Sequence, residues 1–121
     1  MEFKPVRKVD SFNVVLFIAL VPDETDLNGD SISEAEITKT AYEFMQNLQE
    51  KKVNVNHKDG TDIPEAIFVE SYVMLSDTEY DGNIIPKGSW IVGIQLDDEN
   101  YQKVLDGDFI WISIEWRGKY E

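Results

Sequence analysis

Between Ser11 and Val21 the chain reads Ser-Phe-Asn-Val-Val-Leu-Phe-Ile-Ala-Leu-Val, and Pro22 ends the run. Successive side chains of a strand point to opposite faces of its sheet, so a run with so few polar residues puts apolar surface on both faces at once. The stretch therefore predicts a strand buried on both sides, and any fold must supply cover for each.

The chain can build such a core. It has 121 residues, 42% of them hydrophobic and 12% aromatic, which suits one domain spanning 1–121. No apolar run approaches the roughly 18 to 20 residues needed to span a bilayer, and the opening Met1-Glu2-Phe3-Lys4-Pro5 lacks the apolar segment of a signal peptide. A soluble, intracellular protein without a membrane partner is expected. There is no cysteine, which removes disulfides, thiol nucleophiles and thiolate metal sites. A net charge of −13 argues against a nucleic-acid partner, whose phosphates call for clustered Lys and Arg. Such a charge serves solubility and also attracts basic peptides or protein surfaces.

Residues 1–10 mix Lys4, Arg7 and Lys8 with Pro5, show no sustained period, and are expected to form an N-terminal arm or an edge segment. Asp26-Leu27-Asn28-Gly29-Asp30 opens like a calcium loop, but the sixth and twelfth positions hold Ser31 and Ile37 where Gly and Glu are needed. No metal or other cofactor is expected, and Asn28-Gly29 reads as an exposed turn. Ser33-Glu34-Ala35-Glu36 is a capping-box pattern that predicts a helix to about Gln49, with Ile37, Ala41, Phe44, Met45 and Leu48 inward and Lys51 and Lys52 closing it.

Val53 to His57 predicts a short strand, and Ala66 to Met74 a second, in which strict alternation sets Glu70 on the face of Phe68 and Tyr72. A carboxylate there either meets solvent on an edge strand or has a buried partner. Asp81-Gly82 and Pro86-Lys87-Gly88 mark a long hairpin connection to a strand with Trp90, Val92, Ile94 and Leu96 inward. Asp97-Asp98 then caps a short helix with Tyr101, Val104 and Leu105 inward, stopped by Gly107. The pattern of strands with few crossovers predicts an α+β fold, a mostly antiparallel β-barrel or strongly curved sheet with two flanking helices.

The last strand, Phe109 to Trp116, alternates cleanly. Ile110, Ile112, Ile114 and Trp116 share the core face, leaving Phe109, Trp111, Ser113 and Glu115 on the other, where they could line a groove. Ser113 on this strand and His57, the one histidine, form a possible nucleophile and base pair. Residue types alone leave this open, because a mid-strand serine is more often structural.

Several patterns, taken together and in order, resemble one family. Val21-Pro22-Asp23-Glu24 through Asn28-Gly29-Asp30, Ala41-Tyr42-Glu43-Phe44-Met45, Asn54-Val55-Asn56-His57, Val69-Glu70-Ser71-Tyr72, Pro86 to Gly93 and Ser113-Ile114-Glu115 are similar to segments of the XkdF-like phage serine proteases. The resemblance implies a fold like the prohead and herpesvirus assembly proteases, a β-barrel surrounded by helices. It implies a serine endopeptidase in the host-cell cytoplasm, inside assembling proheads, acting on scaffold or capsid proteins. Ser113 would be its nucleophile, His57 its base and Glu70 the acid that orients the imidazole, with Phe109 and Trp111 beside the substrate. A homo-oligomer is compatible with this role, and so is a catalytically degenerate capsid-assembly component. The chain departs from the family where a Gly and a Phe commonly precede the serine and a Gly follows: here stand Trp111-Ile112 and Trp116.

Overall fold

The computed structural model describes the backbone of residues 2–23, 31–48, 51–55, 66–107 and 112–116, and the side chains within 3–23, 31–48 and 66–107. In chain order the elements are β1 (Glu2–Val9), β2 (Val14–Leu20), α1 (Glu34–Gln46), β3 (Lys51–Val55), β4 (Ile67–Val73), β5 (Thr78–Tyr80), β6 (Asn83–Ile85), β7 (Trp90–Gln95), α2 (Asp98–Leu105) and β8 (Ile112–Trp116). The main sheet runs β3-β8-β1-β2-β7-β4 with antiparallel neighbours throughout, and β5 and β6 form a separate hairpin. Strands β1, β2, β7 and β4 make its body. The β3–β8 ribbon joins through the start of β1, where Glu2 pairs with Ser113 and Phe3 with Ile112.

Strand β2 explains the architecture. Val15 and Phe17 enter a core with Phe3, Trp90, Val92, Ile94 and the helix residues Ile37, Ala41, Phe44, Tyr101 and Val104. Val14 and Leu16 enter a second core with Ile91, Met74 and Ile85, flanked by Tyr72 and Tyr80. Helices thus cover one face and the β5–β6 hairpin covers much of the other, as the apolar run of β2 requires.

The expected barrel is not present. Among the described residues the outer strands β3 and β4 do not pair with each other, so the sheet is open, and a herpesvirus-protease-like architecture is not seen. With both faces of β2 already covered by helices and hairpin, burial of its apolar run does not require closure. The α+β character and antiparallel pairing remain.

Residues 2–9 are an inner strand rather than an arm or edge, with Phe3 wholly buried. Pro5, which has no N–H to give a ladder, adjoins an irregularity between Pro5 and Arg7 that shifts the register and conceals the alternation. A second irregularity, between Phe68 and Glu70, inserts Val69 into β4. Phe68 therefore packs against Phe44 on the helical side, at 5.1 Å between ring centroids, while Tyr72 joins the hairpin-side core. Glu70 pairs with Gly93 and shares the face of Tyr72, not that of Phe68.

The capping box forms: Ser33 Oγ accepts from Glu36 N–H at 3.2 Å and Glu36 Oε1 accepts from Ser33 N–H at 3.1 Å. Helix α1 stops at Gln46, and Lys51 and Lys52 begin β3 instead of closing the helix. Met45 and Leu105, expected inward, are exposed, at 45% and 42%. Asp97 is the N-cap of α2, but its carboxylate accepts from the Asn100 side chain at 2.6 Å and not from a helix N–H. Within the connection before β7, Asp81 and Gly82 both have positive φ, 50° and 89°, and close a two-residue hairpin turn between Tyr80 and Asn83. The expected turn at Asn28-Gly29 and the failed calcium loop lie outside the described residues.

Candidate active site on the β3–β8 ribbon

Ser113 lies second in β8, flanked on both sides. Its Cα partner on β1 is Glu2 and its partner on β3 is Asn54. The next pair along, Phe3 and Ile112, belongs to the face turned to the helices, since Phe3 is in the helix-side core. Directly opposed residues share a face and neighbours alternate, so Ser113, Glu2 and Asn54 occupy register positions on the face away from the helices.

His57 lies outside the described residues, as do Phe109 and Trp111. The strand that leads to it is described, and β3 pairs with β8 as an edge neighbour. Asn54, three residues before His57, stands opposite Ser113, so the histidine-bearing segment departs from the strand beside the serine strand.

The structure does not bring Glu70 to this place. It is exposed on β4, the edge opposite to β3, and four strand intervals separate β4 from β8. At about 4.8 Å per interval this is about 19 Å along the sheet. What surrounds Glu70 is a different cluster. Tyr72 and Tyr80 share a hydroxyl–hydroxyl hydrogen bond of 2.9 Å, and the Arg7 guanidinium lies 5.8 Å from the centre of the Tyr80 ring. Burial first, then the bond to Tyr80 and repulsion from Tyr80 and Glu70, hold the Tyr72 phenol well above its ordinary range, with Arg7 opposing. Tyr72 is thus a fixed neutral donor or acceptor and not a proton carrier near neutral pH.

Asn54 and Glu2 were not singled out by sequence reasoning. Strand register cannot be read from a single chain, yet one signal was present: Asn is disfavoured within strands, and Asn54 sits between two valines. Among the described residues no group of three or more His, Asp or Glu side chains is placed to hold a metal ion, and no helix is long and apolar enough to cross a membrane.

The chain thus has a serine-bearing strand paired to the strand that precedes its histidine. The chain belongs to the family described as "Putative phage serine protease XkdF", whose model matches residues 2–120. In Bacillus subtilis (strain 168) it is similar to the uncharacterized protein YqbD, 30% identical over 108 residues, covering 89% of this chain and 32% of that protein. It is also similar to the phage-like element PBSX protein XkdF of the same strain, 32% identical over 98 residues, covering 81% of this chain and 34% of that protein. The chain thus spans about a third of the length of these relatives. No solved structure matches it.

Proposed function

We propose that this chain is the catalytic region of a phage serine endopeptidase that cleaves scaffold or capsid proteins during prohead maturation, within assembling proheads in the host cytoplasm. The observation that carries the reading is the β3–β8 pairing, which sets Ser113 on the strand beside the one leading to His57. Family membership supports the reaction class.

In this mechanism His57 accepts the proton of the Ser113 hydroxyl as Oγ attacks a peptide carbonyl carbon. The carbonyl electron pair moves to oxygen, and hydrogen-bond donors hold the resulting oxyanion. As the pair returns, the C–N bond breaks and His57 delivers its proton to the departing amine. Water, deprotonated by the same imidazole, then releases the acyl group from Ser113. Glu70 takes no part, and the unit is a serine–histidine pair. The substrate is an extended segment running beside Phe109 and Trp111, and the strongly negative charge of the chain favours basic segments.

A second reading has a specific observation in its favour. Trp111 stands where the family commonly carries a Gly, on the strand face read for Ser113, and bulk at that position would narrow a groove. On this reading the domain binds scaffold without cutting it. Co-expression of the wild type, Ser113→Ala and His57→Ala with the neighbouring scaffold and capsid proteins, followed by mass-spectrometric mapping of fragments, separates the two. Cleavage lost in both variants supports the endopeptidase, and identical intact products from all three support the binding role.

A further inference from the structure

Strand β4 ends the main sheet on the side away from β3, and among the described residues β7 is its one partner. Alternate residues of such an edge turn both their N–H and C=O outward, ready to pair with another chain. Exposed edges are commonly protected by lysine or proline, yet β4 reads Ile-Phe-Val-Glu-Ser-Tyr-Val and has neither. Instead it exposes two aliphatic side chains, Ile67 at 56% and Val69 at 44%, with the exposed Glu70 beside them.

Charge decides what such an edge can take. Helix α1, which packs on β4 through Phe44 and Phe68, exposes Glu36 and Glu43 against Lys39. The hairpin, tied to β4 by the Tyr72–Tyr80 bond, exposes Glu79 and Asp81, with Arg7 over the Tyr80 ring. A second copy fits poorly. Glu70 is the middle residue of Ile67–Val73, so two-fold antiparallel pairing of β4 with itself sets Glu70 opposite Glu70 between chains of charge −13. Like charges directly opposed destabilise a strand pair, whereas a cation at that position stabilises it.

We infer that β4 is a docking edge for an extended basic segment of another protein. The segment adds as a further strand, with a Lys or Arg opposite Glu70 and apolar side chains beside Ile67 and Val69. Main-chain hydrogen bonds supply affinity and the alternate side chains supply selection. The irregularity at Val69 interrupts the ladder, which suits one short segment and opposes continued sheet growth. Because β4 lies at the opposite edge from the β3–β8 ribbon, this docking does not depend on the reading of Ser113.

The test uses the whole chain and a fluorescein-labelled octapeptide of alternating lysine and valine, with a glutamate–valine octapeptide as control. Fluorescence anisotropy should show saturable binding of the first and none of the second, and amide exchange in residues 67–73 should slow in the complex. Glu70→Lys and Ile67→Lys, both at exposed positions, should weaken binding about tenfold or more, the first by turning attraction into repulsion and the second by placing a protective lysine on the edge. Glu99→Lys on α2 changes the net charge as Glu70→Lys does and should stay within about threefold of the wild type. Circular dichroism and melting temperature establish that each variant is folded. N-methylation of the peptide backbone keeps its charge and should abolish binding. No saturable binding, binding that survives N-methylation, or an equal loss in Glu99→Lys overturns the inference. So does self-association in sedimentation that Ile67→Lys abolishes, which would assign the edge to a second copy.

Discussion

Glu70 stands directly opposite Gly93, so close that a Cβ added to the glycine would lie 3.1 Å from the Glu70 Cβ and 3.1 Å from Leu16 Cδ2. The missing side chain at position 93 is what lets Glu70 lie down over β7 at the edge of the hairpin-side core. This contact fixes Glu70 on the far side of the sheet from β3, whatever its role. Replacing Gly93 by Ala crowds Leu16, which is buried, and a backbone-anchored Cβ. A loss of about 1–3 kcal/mol is expected from urea denaturation.

Glu70→Gln should leave Ser113-dependent cleavage within about threefold of the wild type. Removing the charge of an orienting acid in a serine–histidine–acid unit costs roughly 10⁴ in kcat, so the two cases are well separated. Steady-state kinetics on a mapped cleavage site would show which holds, and a drop of several hundredfold would restore Glu70 to the catalytic unit.

Phe44 is the hub of the helix-side core, with ring centroids 5.1 Å from Phe68, 5.1 Å from Trp90 and 6.4 Å from Phe3. Phe3 pairs with Ile112, next to Ser113. Phe44→Ala should cost about 3–5 kcal/mol, a large part of the stability of an ordinary domain. Because its cavity opens beneath Phe3, amide exchange in β1 and β8 should accelerate. Unchanged exchange there would mean that the β3–β8 ribbon is held independently of this core.

Tyr101 donates its hydroxyl proton to Asp10 Oδ1, tying α2 to the turn between β1 and β2. Burial first, and then the hydrogen bond and charge of Asp10, push its phenol up to about 12 from 10.0. An unfolded chain releases this proton near pH 10, so between pH 10 and 12 the folded state binds more protons than the unfolded one. The stabilisation is complete below pH 10 and fades as the pH rises toward 12. Tyr72, shifted in the same direction, adds to the trend. Tyr101→Phe should therefore show a shallower fall of unfolding free energy with pH above 10 than the wild type. Parallel slopes in urea titrations from pH 8 to 11.5 would count against the assignment.

How far the sequence discloses this molecule depends on whether alternation is unbroken. In β7 it is, and Trp90, Val92, Ile94 and Leu96 fall in one core as expected, while β2 is buried on both faces as expected despite an irregularity between Ile18 and Leu20. In β4 one inserted residue, Val69, turns Glu70 away from Phe68, and in β1 the irregularity at Pro5 makes an inner strand look like an arm. The capping box at Ser33 needs only local contacts and was legible for that reason. Strand order is set by contacts distant in sequence, so neither the openness of the sheet nor the gap between Glu70 and Ser113 could be read from spacing. Of the other residues first named for the site, His57, Phe109 and Trp111 lie outside the described residues.

The central claim is that Ser113 is a nucleophile activated by His57, and active-site mapping with a fluorophosphonate tests it most directly. The account predicts a single adduct on the peptide containing Ser113 in the wild type, none in Ser113→Ala, and a rate in His57→Ala reduced by several orders of magnitude, because members of a catalytic unit fail together. A wild-type protein that is folded yet carries no adduct at Ser113, or that reacts there equally fast without His57, would contradict it.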